Sequence, residues 1–132
     1  VDAAGKVTVK GLGVAKITVK AAATTDYKAA SKTVTVTVAP KKQGISLVNK
    51  IKKQLTIKWK KNTKASGYQV VYSTNKKFTG KKTVRKAKTT TSYKIKGLKK
   101  GKKYYVKVRS YKTVNGKRIY GAYSTAKKAT IK

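Results

Sequence analysis

The stretch from Leu98 to Arg109 constrains the fold more than any other part of the chain, because it combines a tight turn with a strict alternation of side chains. Gly101 can adopt the positive φ that such a turn needs. After it, Tyr104, Val106 and Val108 alternate with Tyr105, Lys107 and Arg109. A period of two is typical of a strand with one apolar and one charged face. The sequence therefore predicts a turn followed by a half-buried β-strand.

A series of short strands is predicted for residues 44–132, because apolar or β-branched residues alternate with polar ones between turn formers. The predicted strands are Ile45–Val48, Leu55–Lys60, Gly67–Ser73, Thr83–Arg85, Tyr93–Lys96, Ile119–Tyr123 and Ala129–Ile131, besides the strand after Gly101. Leu55, Ile57 and Trp59 should face a core. Asn115-Gly116 suits a type I′ hairpin turn, in which both central residues have positive φ. The pattern is that of an all-β domain.

The spacing of Leu98, Gly101 and Tyr104 resembles the tyrosine corner of a fibronectin type III domain, in which the tyrosine hydroxyl bonds back to the backbone just upstream. Further matching features are the inward Trp59, the Gly67-Tyr68 start of a strand and Gly121-Ala122-Tyr123-Ser124 near the end. Residues 44–132 are thus similar to a bacterial fibronectin type III module, which implies an antiparallel β-sandwich. Lys100 stands where the family often has proline, and the adhesive Arg-Gly-Asp triplet of some animal relatives is absent.

Residues 1–39 carry three further alternating runs, which predict a short N-terminal β segment. The runs are Val7–Val9, Ile17–Val19 and Thr33–Val38, separated by Gly11, Gly13 and a polar loop. Their order resembles the closing half of a bacterial Ig-like repeat. Such a half-sandwich leaves an apolar face and an open edge that something must cover. Either a second copy of the chain pairs with this segment to form a homodimer, or the segment docks onto the second domain.

Pro40 marks the predicted boundary, because it is the only proline and polar turn formers follow it. We therefore expect a partial Ig-like β segment at 1–39, a linker at 40–43 and a fibronectin type III-like domain at 44–132. The chain begins at Val1 without a methionine or a signal sequence, so we also expect it to be a piece of a longer protein.

The charge of the chain is far outside the ordinary range. It has 36 basic residues (Lys and Arg) but only two acidic ones, which gives a net charge of +34. A small domain usually carries a net charge of magnitude roughly 2 to 8. Thirty of the basic residues and no acidic one lie after residue 39. A surface of this kind attracts multivalent anions. The expected partners are sulfated glycans, nucleic acid, anionic membranes and cell-wall polymers.

The chain offers almost no groups for catalysis or metal binding. It has no His and no Cys, and its only carboxylates are Asp2 and Asp26. Acid–base and nucleophilic catalysis need such groups, zinc needs His or Cys, and hard cations need several carboxylates. Among 33 lysines, a serine beside a lysine is expected by chance alone. We therefore expect no enzyme activity, no metal and no cofactor. No apolar run approaches the ~20 residues of a membrane span either.

Three cationic patches are the candidate polyanion-binding sites. In the sandwich that the resemblance implies, the second and fifth strands are antiparallel neighbours, and this places the first patch on one outer face. The patches are Lys58, Lys60, Lys94 and Lys96; the turn lysines Lys99, Lys100, Lys102 and Lys103; and Lys107 with Arg109 on the opposite sheet. Because ammonium is a point charge and only three residues are Arg, we expect affinity without sequence specificity. Tyr105 and Tyr120 either stack on bases or, as we prefer, pack across neighbouring strands.

The leading hypothesis is a non-enzymatic module of a bacterial cell-surface or secreted protein that binds polyanions. By resemblance, tandem modules of this kind act as spacers and adhesion elements. Two alternatives stay open: a supercharged protein that binds nucleic acid or enters cells, and a structural spacer whose charge serves only solubility.

Overall fold

The computed structural model describes residues 1–2 and 4–132, and in this part of the chain it contains ten β-strands and no helix. The strands are β1 (Gly13–Ala21), β2 (Ala30–Val38), β3 (Ile45–Val48), β4 (Leu55–Trp59), β5 (Gly67–Ser73), β6 (Lys82–Ala87), β7 (Ser92–Ile95), β8 (Lys103–Val114), β9 (Lys117–Tyr120) and β10 (Lys127–Thr130). They form two compact units, Val1–Val38 and Ala39–Lys132. The predicted all-β class is confirmed.

The first unit is a β-hairpin. β1 pairs antiparallel with β2 from Gly13↔Val38 to Ala21↔Ala30. The predicted strand at Val7–Val9 is wrong, because these residues join no ladder in the described part of the chain. An alternating pattern alone makes no strand, since a strand exists only where a neighbour supplies backbone hydrogen bonds. The predicted apolar exposure is present, with Val19 63% and Val34 48% exposed.

The second unit is an antiparallel sandwich of two sheets. One sheet has the order β3-β4-β7, and the other has the order β10-β8-β5-β6, with β9 also pairing with β8. β9 and β10 pair with opposite ends of β8, at Val114↔Lys117 and Val106↔Lys127. The fifth predicted strand does pair with the second, as Leu55↔Ile95 shows.

The core lies between the two sheets. Leu55, Ile57 and Trp59 are 0%, 0% and 6% exposed, which confirms their predicted orientation. Trp59 packs against Tyr68 from the other sheet, with ring centroids 5.4 Å apart. The hydroxyl of Tyr68 accepts a 2.6 Å hydrogen bond from the Asn62 backbone amide, so this fully buried phenol is satisfied.

Two predicted turns are present. Asn115 and Gly116 have φ of 47° and 74° and connect β8 to β9, as the type I′ prediction requires. Gly101 has φ of 74°, and the hydroxyl of Tyr104 accepts a long 3.5 Å hydrogen bond from the Lys99 backbone amide. This is the geometry of the predicted tyrosine corner.

Residues 40–43, predicted as a linker, pack onto the second unit. Pro40 and Gln43 are buried, and the Gln43 side chain donates a 3.3 Å hydrogen bond to the Ser110 hydroxyl on β8. Gly121 lies against the Pro40 carbonyl oxygen, leaving no room for a Cβ atom. The strand β9 ends at Tyr120, just before this close contact, and not at Tyr123 as predicted.

Candidate polyanion-binding surface

The first predicted patch is a diagonal line of lysines. β4 and β7 place Lys58 opposite Ser92 and Lys94 opposite Thr56, so the two lysines are diagonal neighbours on the outer face. Lys60 and Lys96 follow the opposite ends of the two antiparallel strands. At roughly 3.4 Å per residue the line is about 20 Å long. The compact group of four that we expected is therefore spread out, and the register avoids the direct like-charge pairs that destabilise sheets.

The turn lysines belong to a larger group at one end of the sandwich. Three chain segments meet there: residues 50–53 before β4, residues 96–103 from the end of β7 to the first residue of β8, and the residues after β10. We call the basic residues of these segments the lysine pole. Its members are Lys50, Lys52, Lys53, Lys96, Lys99, Lys100, Lys102, Lys103 and Lys132, all of them exposed.

Backbone hydrogen bonds hold the lysine pole together. The Lys53 amide donates to the Lys132 carbonyl at 2.9 Å, and the Lys53 carbonyl accepts from the Leu98 amide at 3.0 Å. The Gly101 amide donates to the Ile131 carbonyl at 2.8 Å. Leu98 and Ile131 are buried at 5% and 2% exposure and anchor two of the segments in the core. The backbone of the three segments is therefore held in place by the fold.

Sequence reasoning identified five of the pole residues and missed four. Lys99, Lys100, Lys102 and Lys103 were visible because they are contiguous, and Lys96 was assigned to the outer-face patch. Lys50, Lys52, Lys53 and Lys132 lie far from this turn in the sequence. The one available signal was that β4 is antiparallel to β7, which brings the residues before β4 beside the residues after β7.

The third predicted patch is engaged with aromatic rings. Lys107 Nζ lies 4.0 Å from the Phe78 ring centroid and 4.4 Å from that of Tyr123. Arg109 Cζ lies 4.3 Å from the Tyr123 centroid and 3.8 Å from that of Tyr120. We call these five residues the cation ladder. Because cation–π contacts use the same charged groups that a polyanion needs, we leave Lys107 and Arg109 out of the candidate surface.

Polar contacts fix the cation ladder to the sheet. Gln69 on β5 is 7% exposed, and its side-chain oxygen accepts hydrogen bonds from Arg109 Nε at 2.7 Å and from the Tyr123 hydroxyl at 3.0 Å. The preferred interpretation of Tyr120 is confirmed, because its ring packs across the strand pair on Tyr111, 5.6 Å between centroids. Tyr105 is half-buried between Ser73 and Lys128, and its stacking on bases stays a prediction.

The described residues contain no group of three or more His, Cys, Asp or Glu side chains that a metal ion needs. This part of the chain also contains no helix that is long and apolar enough to cross a membrane. Because residues 40–132 hold no Asp or Glu, no lysine of the pole has an acidic side chain of its own domain as a partner.

Comparison with solved structures gives the same architecture. The structure is similar to the two-domain fibronectin type III segment of chicken tenascin, with a TM-score of 0.62 and 18% identity, covering 87% of this chain and 64% of that one. It is also similar to the FN1-FN3 domains of chicken CNTN1, with a TM-score of 0.61 and 19% identity, covering 78% of this chain and 37% of that one. A structure described as a myokine aligns with a TM-score of 0.55 and 14% identity, covering 70% and 97%.

This chain thus spans less than two thirds of the tenascin and CNTN1 fragments. No curated protein matches the sequence. The family model for the fibronectin type III domain matches residues 38–126, about two thirds of the chain. Domains of this family are typically non-enzymatic scaffolds, common in extracellular proteins, and serve as structural or binding modules. With the sandwich, the tyrosine corner and the match in agreement, the chain belongs to the fibronectin type III domain family.

Proposed function

We propose that this chain is a non-enzymatic module of a bacterial cell-surface or secreted protein, and that it binds polyanions through the lysine pole. Sulfated glycans, nucleic acid and anionic membrane or cell-wall polymers are the ligand classes. Lys58, Lys60 and Lys94 extend the surface along the outer face of β4 and β7. The alternatives are a supercharged protein that binds nucleic acid or enters cells, and a spacer without a ligand.

The observation that carries the proposal is the convergence of nine lysines on one end of a rigid fold. If the 36 basic residues were scattered at random over the surface, they would also attract anions. They would not, however, lie together on three chain segments that hydrogen bonds hold side by side. A polymer that contacts several fixed cations at once releases several counterions, which favours association entropically. Because all nine are Lys, the surface supplies point charges and not the bidentate contacts that read bases.

The N-terminal hairpin has its own place in the proposal. Its alternating strands support the closing half of an Ig-like repeat, and a groove of about 420 Å³ lined by residues including Leu12, Val14, Ile17 and Val36 lies on this unit. We propose that a second copy of the chain covers the groove. Sedimentation at physiological salt should then give a dimeric mass, and a purely monomeric mass contradicts the pairing.

The test is a salt series of binding to heparin, double-stranded DNA and anionic liposomes. A polyanion binder retains all three near physiological salt, and its affinity for DNA falls on logarithmic axes with a slope of about −0.9 per phosphate contacted. The pole variant replaces Lys99, Lys100, Lys102 and Lys103 by Gln. It should flatten the slope by about one unit per lost contact.

The control variant carries the same charge change at the opposite end of the sandwich. It replaces Lys61, Lys64, Lys88 and Lys117 by Gln, all exposed residues outside the pole. A smaller effect than that of the pole variant supports the proposal, and equal effects leave only diffuse charge. Loss of all binding at modest salt favours the spacer, and DNA binding that outlasts heparin binding favours the nucleic-acid alternative.

A further inference from the structure

A cleft of about 270 Å³ opens beside the lysine pole. Its walls include Tyr72, Tyr104, Lys82, Lys96 and Lys99. Two of these lysines belong to the pole, and Lys82 adds a cation from a fourth chain segment. We propose that this cleft binds one sulfated sugar unit of a glycan chain, an inference that rests on the proposed polyanion binding.

The cleft arises where the sandwich is open. β6 and β7 are edge strands of the two sheets, so the space between them has no strand to close it. Tyr72 on β5 pairs directly with Lys82 on β6, and paired residues share a face of the sheet. Lys82 therefore lies on the inner face of an edge strand, where an inward charge also prevents pairing with other sheets.

Lys86 is a second lysine on the inner face of β6, and its ammonium group contacts an aromatic ring of the other sheet. It is four residues beyond Lys82 on the same face of β6, and its Nζ lies 4.2 Å from the Tyr93 ring centroid on β7. Lys86 is half-buried by this contact, whereas Lys82 is exposed. The two lysines thus have different roles at the open edge. Lys86 on one sheet contacts Tyr93 on the other, whereas Lys82 lines the cleft with a free positive charge.

The walls combine cations with phenol hydroxyls. Burial, and then the neighbouring hydroxyls of Tyr93 and Tyr104, raise the pKa of Tyr72 above its ordinary value of 10.0. Its hydroxyl therefore stays protonated at neutral pH and can donate a hydrogen bond. Three ammonium groups can donate charge-assisted hydrogen bonds to the three free oxygens of a sulfate ester, and the phenol hydroxyls can bond to the remaining hydroxyls of a sugar ring.

Size and ring orientation favour a sugar over a nucleotide. The cleft is smaller than the roughly 300–1,000 Å³ of typical small-molecule sites, so it accepts one unit of a polymer. Stacking of a base needs an open aromatic face. The rings of Tyr72 and Tyr104 instead pack against the hydrophobic core.

The experiment is a titration with a fully sulfated heparin disaccharide, its unsulfated counterpart and a DNA dinucleotide. The cleft variant replaces Lys82, Lys96 and Lys99 by Gln, and the matched control replaces Lys61, Lys64 and Lys88 by Gln. The wild type should prefer the sulfated disaccharide. The cleft variant should lose at least tenfold in affinity for it, since tenfold is about the loss expected from a single charge-assisted hydrogen bond, and the control should lose clearly less.

Tyr72→Phe keeps the ring and removes only the hydroxyl, so it tests the cleft without emptying the core. It should weaken disaccharide binding several-fold and leave binding of long heparin nearly unchanged. Equal losses in the cleft and control variants overturn the cleft assignment, as does a wild type that binds long heparin but not the disaccharide. Tighter binding of the dinucleotide overturns the choice of sugar. If long heparin itself does not bind, the failure lies in the proposed function.

Discussion

Replacing Tyr123 by Leu tests the cation ladder. The Tyr123 ring contacts the cations of both Lys107 and Arg109, and its hydroxyl donates to the buried Gln69 oxygen at 3.0 Å. Two cation–π contacts contribute about 0.5–1 kcal/mol each, and the hydrogen bond contributes about 1 kcal/mol. The substitution should therefore cost about 2–3 kcal/mol. For a domain of this size, that lowers Tm by roughly 10–20 °C.

The assay is thermal unfolding followed by circular dichroism, with Tyr123→Phe as the matched control. The control keeps the ring and loses only the hydroxyl, while the Gln69 oxygen retains its 2.7 Å hydrogen bond from Arg109. It should therefore cost about 1 kcal/mol or less. If Leu and Phe lower Tm equally, the ring contributes nothing through the two cations, and the argument for excluding Lys107 and Arg109 from the binding surface fails.

Three further predictions concern packing, titration and charge. Gly121→Ala should destabilise the domain by about 1–3 kcal/mol, because its Cβ meets the rigid Pro40 carbonyl; Gly44→Ala, whose Cβ meets open space, should be nearly neutral in the same denaturant titration. The tyrosinate absorbance difference between wild type and Tyr72→Phe should have its midpoint above pH 10, since the pKa of Tyr72 is raised. The stability linked to this group is present below the unfolded-state pKa and is lost as pH rises through the folded-state pKa, and a midpoint at or below pH 10 contradicts the assignment. Raising salt from low to physiological concentration should raise Tm, because salt screens the repulsion among the lysines and residues 40–132 have no acidic side chain whose ion pairs salt would weaken. A falling Tm refutes this.

Much of the sandwich was predictable because buried apolar residues alternate with exposed polar ones along its strands, with a period of two. Leu55, Ile57 and Trp59 face the core as their alternation requires. The hairpin at Asn115-Gly116 follows from the rarity of residues that accept positive φ. The same reasoning failed at Val7–Val9, where the local pattern is right for a strand but no partner is in place.

The candidate surface was less predictable, because it depends on contacts between distant segments. Lys99 to Lys103 form a visible charge run, but only the pairing of β4 with β7 brings Lys53 beside Leu98. In the sequence, Lys107 stands between the apolar residues Val106 and Val108, which is the pattern of a charged residue that faces solvent. Its contacts with Phe78 and Tyr123 come from two segments outside the regular strands, and their positions have no periodic signal.

The central claim is that fixed lysines at one end of the sandwich bind polyanions. Its most direct test is an amide-resolved NMR titration of the whole chain with a heparin oligosaccharide at physiological salt. The account predicts that shift changes concentrate at residues 50–53, 96–103 and 132, and that the opposite end around Lys61 and Lys88 changes little. Shift changes of equal size around lysines over the whole surface would contradict it.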